Sequence, residues 1–199
     1  MKNRGFLIAL AAVAAIGLLI YSSTVGRYNR LVRMQEAINQ QWSQVKNQYQ
    51  RRSDLIPNVI STVKGAANFE QETLQNIVDA RARVGQIVIS DDVVSDPEKL
   101  AEFERAQARL SQGIGRLIAV SENYPDLKSS QLFRDLVVQL EGTENRISVE
   151  RKRFIESIGA YNTYLRQFPT NLIGGMMGFE KMTYYEGDEG NETAPKVTF

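Results

Sequence analysis

Two carboxylates three residues apart, Glu141 and Glu144 in the stretch LEGTENRI, are the side chains best placed by type and spacing to do chemistry. On a helix they share nearly one face, and paired carboxylates are the equipment of general acid–base work. With Arg52, from the stretch RRSDLIPNVISTVKG, they would make a carboxylate-based enzyme. Little else supports that chemistry. The chain has 0 histidines and 0 cysteines, so Ser-His-Asp relays, His-ligated zinc, Glu-x-x-His di-iron sites, thiolate ligands and cysteine nucleophiles are all excluded. With no cleft signal and no partner base, structural ion pairing is the preferred reading of Glu141 and Glu144. The chain is therefore read as non-enzymatic, with no catalytic residue, no metal and no cofactor.

Other patterns weigh the same way. The GIG of Gly113 to Gly115 lies inside a helical stripe, follows no strand and lacks a Lys-Ser/Thr pair. It is read as small residues that let helices approach closely, and not as a phosphate loop. The basic run Arg151 to Arg153 is read as a solvated helix face. Lys and Arg number 24 against 23 Asp and Glu, leaving no basic field for nucleic acid.

These residues need elements to position them. The N-terminus reads MKNRGFLIALAAVAAIGLLIYSSTVGR, with no charge between Arg4 and Arg27. About 20 residues at about 1.5 Å each cross a hydrocarbon core of about 30 Å. A cleaved signal peptide competes with this reading, but no A-x-A site follows the apolar run, so residues 1–27 are expected to be a retained transmembrane anchor. Lys2 and Arg4 on one side face Arg27, Arg30 and Arg33 on the other. Charge therefore leaves the orientation open.

Beyond the anchor, one seven-residue row runs Tyr28, Gln35, Trp42, Tyr49, Ile56, Val63, and its partner row runs Leu31, Ile38, Val45, Arg52, Val59, Ala66. This is a seam of a/d type, and it passes Pro57 without a phase shift. Proline lacks an N–H and crowds the carbonyl of Ser53, so a bend is expected within one continuous helix that stops at Gly65. The alternative puts the break at Asp54, with Pro57 in the first turn of a new helix. A second helix is expected from Asn68 as N-cap, carrying Leu74, Ile77, Val78, Val84 and Val88. A third starts from Asp96 and Pro97 with the stripe Leu100, Phe103, Leu110, Ile114, Leu117. The fourth carries Phe133, Leu140, Ile147, Phe154, Tyr161 and Phe168, all spaced by seven.

The fold class predicted is all-α: a transmembrane helix, then an antiparallel up-down-up-down four-helix bundle over residues 28–168 with long first and last helices, then a partly irregular tail over 169–199. Each long helix measures about 60 Å at about 1.5 Å per residue. The second row of the fourth helix runs Val137, Glu144, Arg151, Ile158, Leu165, with a polar middle, and setting Tyr28 opposite Phe168 brings Arg52, the charged defect of the first seam, opposite its Glu144. A partly buried ion pair is predicted, with Arg51, Asp54 or Asn145 as second partners. Arg51, Arg52, Asp54, Pro57, Glu144 and Asn145 are the structural and interaction candidates. In the tail, Phe179, Tyr184 and Tyr185 are candidate interfacial residues at headgroup depth, the competing reading being that the tail folds back over the bundle.

The stretches YNRLV, RRSDLIPNVISTVKG, ETL, YPDLK, LEGTENRI, YNTYLRQFPTN and the ending APKVTF are in order and at matching spacing, and together they resemble the LemA family over nearly everything from Tyr28 to Phe199. The resemblance implies a single-pass bacterial membrane protein with a four-helix body, no settled activity, and no cofactor or catalytic residue to carry over. It also implies organising roles at membranes, since members of the family include a magnetosome-membrane protein. The chain departs from the family pattern where members often carry KGYAxHE: here Ala66 and Phe69 stand, and the histidine is missing. The expected function is a membrane-anchored helical scaffold or adaptor in the bacterial inner membrane, presenting a bundle surface to a protein partner. The alternative is a membrane-organising protein that acts through homo-oligomerisation and an interfacial tail.

Overall fold

The computed structural model describes residues 2–65, 70–87 and 96–183, and every described element is helical. Six helices follow one another: α1 Lys2–Lys64, α2 Gln71–Gln86, α3 Pro97–Ser121, α4 Pro125–Ser129, α5 Gln131–Arg166 and α6 Thr170–Met176. The apolar N-terminal run and the heptad seam belong to the same helix, α1, and Pro57 lies inside it. The break at Asp54 does not occur. The repeat predicted this, since a chain reversal would have reset the phase of the buried rows.

α2 begins at Gln71, with Glu70 at the N-cap position and no side-chain cap, rather than directly after Asn68. Asn68 and Val88 lie outside the described residues. α3 starts as expected: the Asp96 carboxylate accepts from the N–H of Glu98 at 3.1 Å and of Lys99 at 3.2 Å, with Pro97 at the first turn. Those two donors have no partner within the helix, and the cap satisfies them. Its hydrogen bonds from Lys99 hold the Asp96 carboxyl below its usual value. α4 is a short helix over Pro125–Ser129, immediately after the end of α3.

Contacts group the chain into two units, one of Met1–Gln40 with Glu156–Met182 and one containing Gln41–Ile155. In the first, Leu31, Ile38, Ile158, Tyr161 and Leu165 are buried along α1 and α5. In the second, Ile56, Val59 and Val63 of α1 share a core with Leu74 and Ile77 of α2, Leu110 and Leu117 of α3, and Phe133 and Leu140 of α5. Gly113 permits the α2–α3 approach, since a Cβ there would stand 3.1 Å from Ile77 Cγ1. Gly115, the other glycine of that stretch, faces open space.

The heptad frame that opposes Arg52 to Glu144 also opposes Trp42 to Phe154, and those rings lie 5.2 Å apart. Phe103 of α3 completes the cluster, edge-on to Trp42 at 5.6 Å and to Tyr49 at 5.2 Å. Edge-to-face pairs of this kind add about 0.5–1.5 kcal/mol each beyond their buried area. In the first unit the same frame sets Gln35 against Tyr161, and their side chains hydrogen-bond. The frame fails at its end. Phe168, expected opposite Tyr28, is 81% exposed, because α5 stops at Arg166 and the helical phase stops with it. Tyr28 packs instead on Phe179, with ring centroids 5.5 Å apart.

Candidate functional site

Arg52 is the most deeply buried charge among the described residues, with its side chain 1% exposed. Its heptad position places it on the inward face of α1 between Tyr49 and Ile56, both buried. Nη1 donates to Glu144 Oε2 at 2.7 Å and to Ser111 Oγ at 2.6 Å. Nη2 donates to the Gln107 carbonyl at 3.3 Å and to the Gln107 side-chain oxygen. The guanidinium also stands 5.1 Å from the Tyr49 ring centroid, a cation–π distance. Ser111 in turn donates to Glu144 Oε1 at 3.4 Å. Arg52 thus ties α1 to α5 through a charge and to α3 through neutral oxygens.

The second partners are not those the sequence nominated. Arg51 and Asn145 are exposed, and Asp54 accepts from Gln50 Nε2 at 2.8 Å on the outer face of α1. At about 100° of rotation per residue, positions 51 and 54 are turned away from the inward face that Arg52 occupies. The partners missed, Gln107 and Ser111, are on α3. A signal for Gln107 was present: it sits four residues after Phe103 and three before Leu110, as a polar member of a buried stripe.

Pro57 has its own compensation. Lacking an N–H, it leaves the Ser53 carbonyl without its helical donor. Arg81 of α2 supplies one, with Nε donating to Ser53 O at 3.2 Å.

Glu141 is exposed, and Glu144 is engaged by Arg52 with half its side chain open to solvent. The arrangement uses Glu144 as the counter-charge of a buried cation. Among the described residues no group of three or more acidic side chains could hold a metal.

The tail begins with α6, whose last turn ends at Gly178, with φ at +76°. Glycine adopts this left-handed conformation without the clash a Cβ brings, and it lets the Phe179 N–H reach back to the Gly174 carbonyl at 2.9 Å. The chain then lies against α5. The Tyr161 hydroxyl donates to the Glu180 carbonyl at 2.9 Å. The Asn162 amide engages both sides of Met182, donating to its carbonyl at 2.9 Å and accepting from its N–H at 3.0 Å. Burial pushes the Tyr161 hydroxyl above its usual 10.0, opposed by the Gln35 hydrogen bond and reinforced by the Glu180 carboxylate. Phe179 is thereby half-buried against Tyr28. Tyr184 and Tyr185 lie outside the described residues.

Among the described residues the protein is all-helical, with a long, uncovered apolar N-terminal stretch. The LemA family model matches residues 41–199, and the chain belongs to the LemA family. It is 24% identical to the magnetosome protein MamQ of Magnetospirillum gryphiswaldense, over 98% of this chain and 78% of that protein. It is 23% identical to the magnetosome protein MamQ 2 of Paramagnetospirillum magneticum, over the same 98% and 78%. To the protein LemA of Metamycoplasma hominis it is 25% identical, over 92% of this chain and 80% of that one.

Proposed function

We propose that the protein is a membrane-anchored, non-enzymatic helical scaffold of the LemA type, presenting the surface of its helical body to a protein partner. In this reading residues 1–27 cross a bacterial inner membrane once. Residues 28–168 form an up-down-up-down bundle, and residues 169–199 form its tail.

One observation carries the reading. The apolar stretch that starts at Phe6 is long enough to cross a membrane, none of it is buried, and it continues without interruption into the helix whose inward face forms a packed core. Side chains such as Leu10, Val13, Leu18 and Tyr21 have no protein neighbours to cover them. A helix hydrophobic all round belongs in lipid or in a core. The network around Arg52 supports the non-enzymatic part, since it uses Glu144 to fix the register of three helices.

The test is photo-crosslinking in intact cells, with a crosslinking amino acid placed at exposed positions such as Val138 and Val149, followed by purification. A dominant adduct with one other protein supports the scaffold. Adducts only with the chain itself overturn it in favour of a membrane organiser acting through self-association.

A further inference from the structure

We infer that the α6 elbow is a membrane-interface wedge: Phe168, Leu172, Met176 and Met177 insert at the boundary between headgroups and acyl chains, while Phe179 serves as an internal latch. The inference rests on residues 1–27 being the anchor.

α6 is inside-out. Thr170 and Gly174, one turn apart, are its buried residues. A Cβ at position 174 would stand 2.4 Å from Leu165 Cδ1, so the inner face packs closely on Leu165 and a larger residue there would push that side chain aside. The outer face holds the large apolar groups: Phe168 is 81% exposed, Leu172 57%, Met176 84% and Met177 51%. Leu172 and Met176 are four apart and share a side of the helix. A surface helix in water places its apolar stripe inward. This one shows water the stripe that should be hidden, as interfacial helices do.

The position of the elbow selects lipid as the occupant. Phe168 and Thr170 line one groove with Ser22, Ser23, Gly26 and Arg27 of α1. On α1 this is the turn where the uncovered apolar run ends and burial begins at Leu31. Gly26 lies about 30 Å along the helix from Phe6, at about 1.5 Å per residue, which matches the hydrocarbon thickness. The elbow is therefore continuous with the spanning surface. Arg27 and Arg30 in the same groove suit the phosphate layer, and Arg30 is held 4.4 Å over the Tyr164 ring. Tyr28, Asn162 and Tyr161 hold the segment after Gly178 against α1 and α5, which fixes the elbow in place and turns Phe179 inward.

The chain has no cysteine, so single labels are clean. Full-length Leu172→Cys, Met176→Cys, Leu18→Cys and Gln40→Cys proteins, each carrying an environment-sensitive fluorophore, are reconstituted into phosphatidylcholine–phosphatidylglycerol vesicles containing lipids brominated at known depths. The expected result is strong quenching at 172 and 176 by shallow bromines, strongest quenching at 18 by deep bromines, and little at 40. Quenching at 18 with none at 172 or 176 above the level at 40 overturns the wedge and leaves the anchor standing. No quenching at 18 overturns the anchor, and the wedge with it. Oxidative dimerisation through a cysteine at 172, without lipid quenching there, makes a second copy of the chain the occupant and also overturns the wedge.

Discussion

Arg52 Nη1 lies 2.7 Å from Glu144 Oε2, and the two ends of the pair differ in setting: the arginine side chain is 1% exposed, the glutamate 51%. This asymmetry decides what each residue is worth. Removing Glu144 leaves a buried cation with only the neutral oxygens of Ser111 and Gln107, whereas removing Arg52 leaves a carboxylate that water can reach. Glu144→Leu should therefore cost about 3 kcal/mol and Arg52→Met about 1–2 kcal/mol. The double variant should lose less than the sum. Denaturant unfolding in detergent micelles measures the order, and equal losses with no coupling would contradict the account.

Pro57 and Arg81 should be coupled through a carbonyl neither of them owns. Arg81→Ala removes the donor to Ser53 O and should cost about 1 kcal/mol. Pro57→Ala restores the helical N–H and should stabilise by about 1–2 kcal/mol, less than the intrinsic penalty for an interior proline because Arg81 already compensates part of it. In the Pro57→Ala background, Arg81→Ala should be nearly neutral. An undiminished effect of the arginine in that background would separate it from the proline.

The latch at Asn162 is graded by chemistry. Asn162→Leu loses both hydrogen bonds to Met182, while Asn162→Asp keeps the acceptor and loses the donor. Hydrogen exchange at the Met182 amide should be slowest in the wild type, intermediate in the Asp variant and fastest in the Leu variant. Indistinguishable rates would mean that the amide pairing does not hold the segment.

Tyr161 makes a prediction in pH. Its folded hydroxyl titrates above its unfolded value of 10.0, so the folded state retains the proton longer. The resulting stability is fully present below pH 10 and is lost as pH rises through the folded value. The stability gap between wild type and Tyr161→Phe should therefore narrow above that pH. A constant gap would mean that the hydroxyl titrates alike in both states.

Much of this architecture was legible because heptad spacing reports helical phase directly. The rows through Trp42 and Phe154 place Tyr49, Ile56, Val63, Leu140, Ile147 and Tyr161 in the core with them, and in the neighbouring rows Arg52 finds Glu144. Continuity through Pro57 was legible for the same reason: the buried rows keep step across it. The limits are also physical. Phase says nothing once a helix ends, so Phe168 was assigned to a seam that α5 had already left. Ser111 and Arg81 are used by elements distant in sequence, and no local pattern advertises a side chain that serves another helix's backbone or charge. Gln107 was the exception, a polar residue on an apolar stripe that pointed inward from the start.

The account stands or falls on the apolar start of α1 being a retained membrane span. The direct measurement is an alkaline carbonate wash of membranes from cells making either the full chain or residues 28–199, followed by the intact mass of what stays in the pellet. The full chain should resist the wash with residues 1–27 present in its mass, and the shortened chain should be released. Release of the full chain, or a pellet species that has lost those residues, would contradict the account.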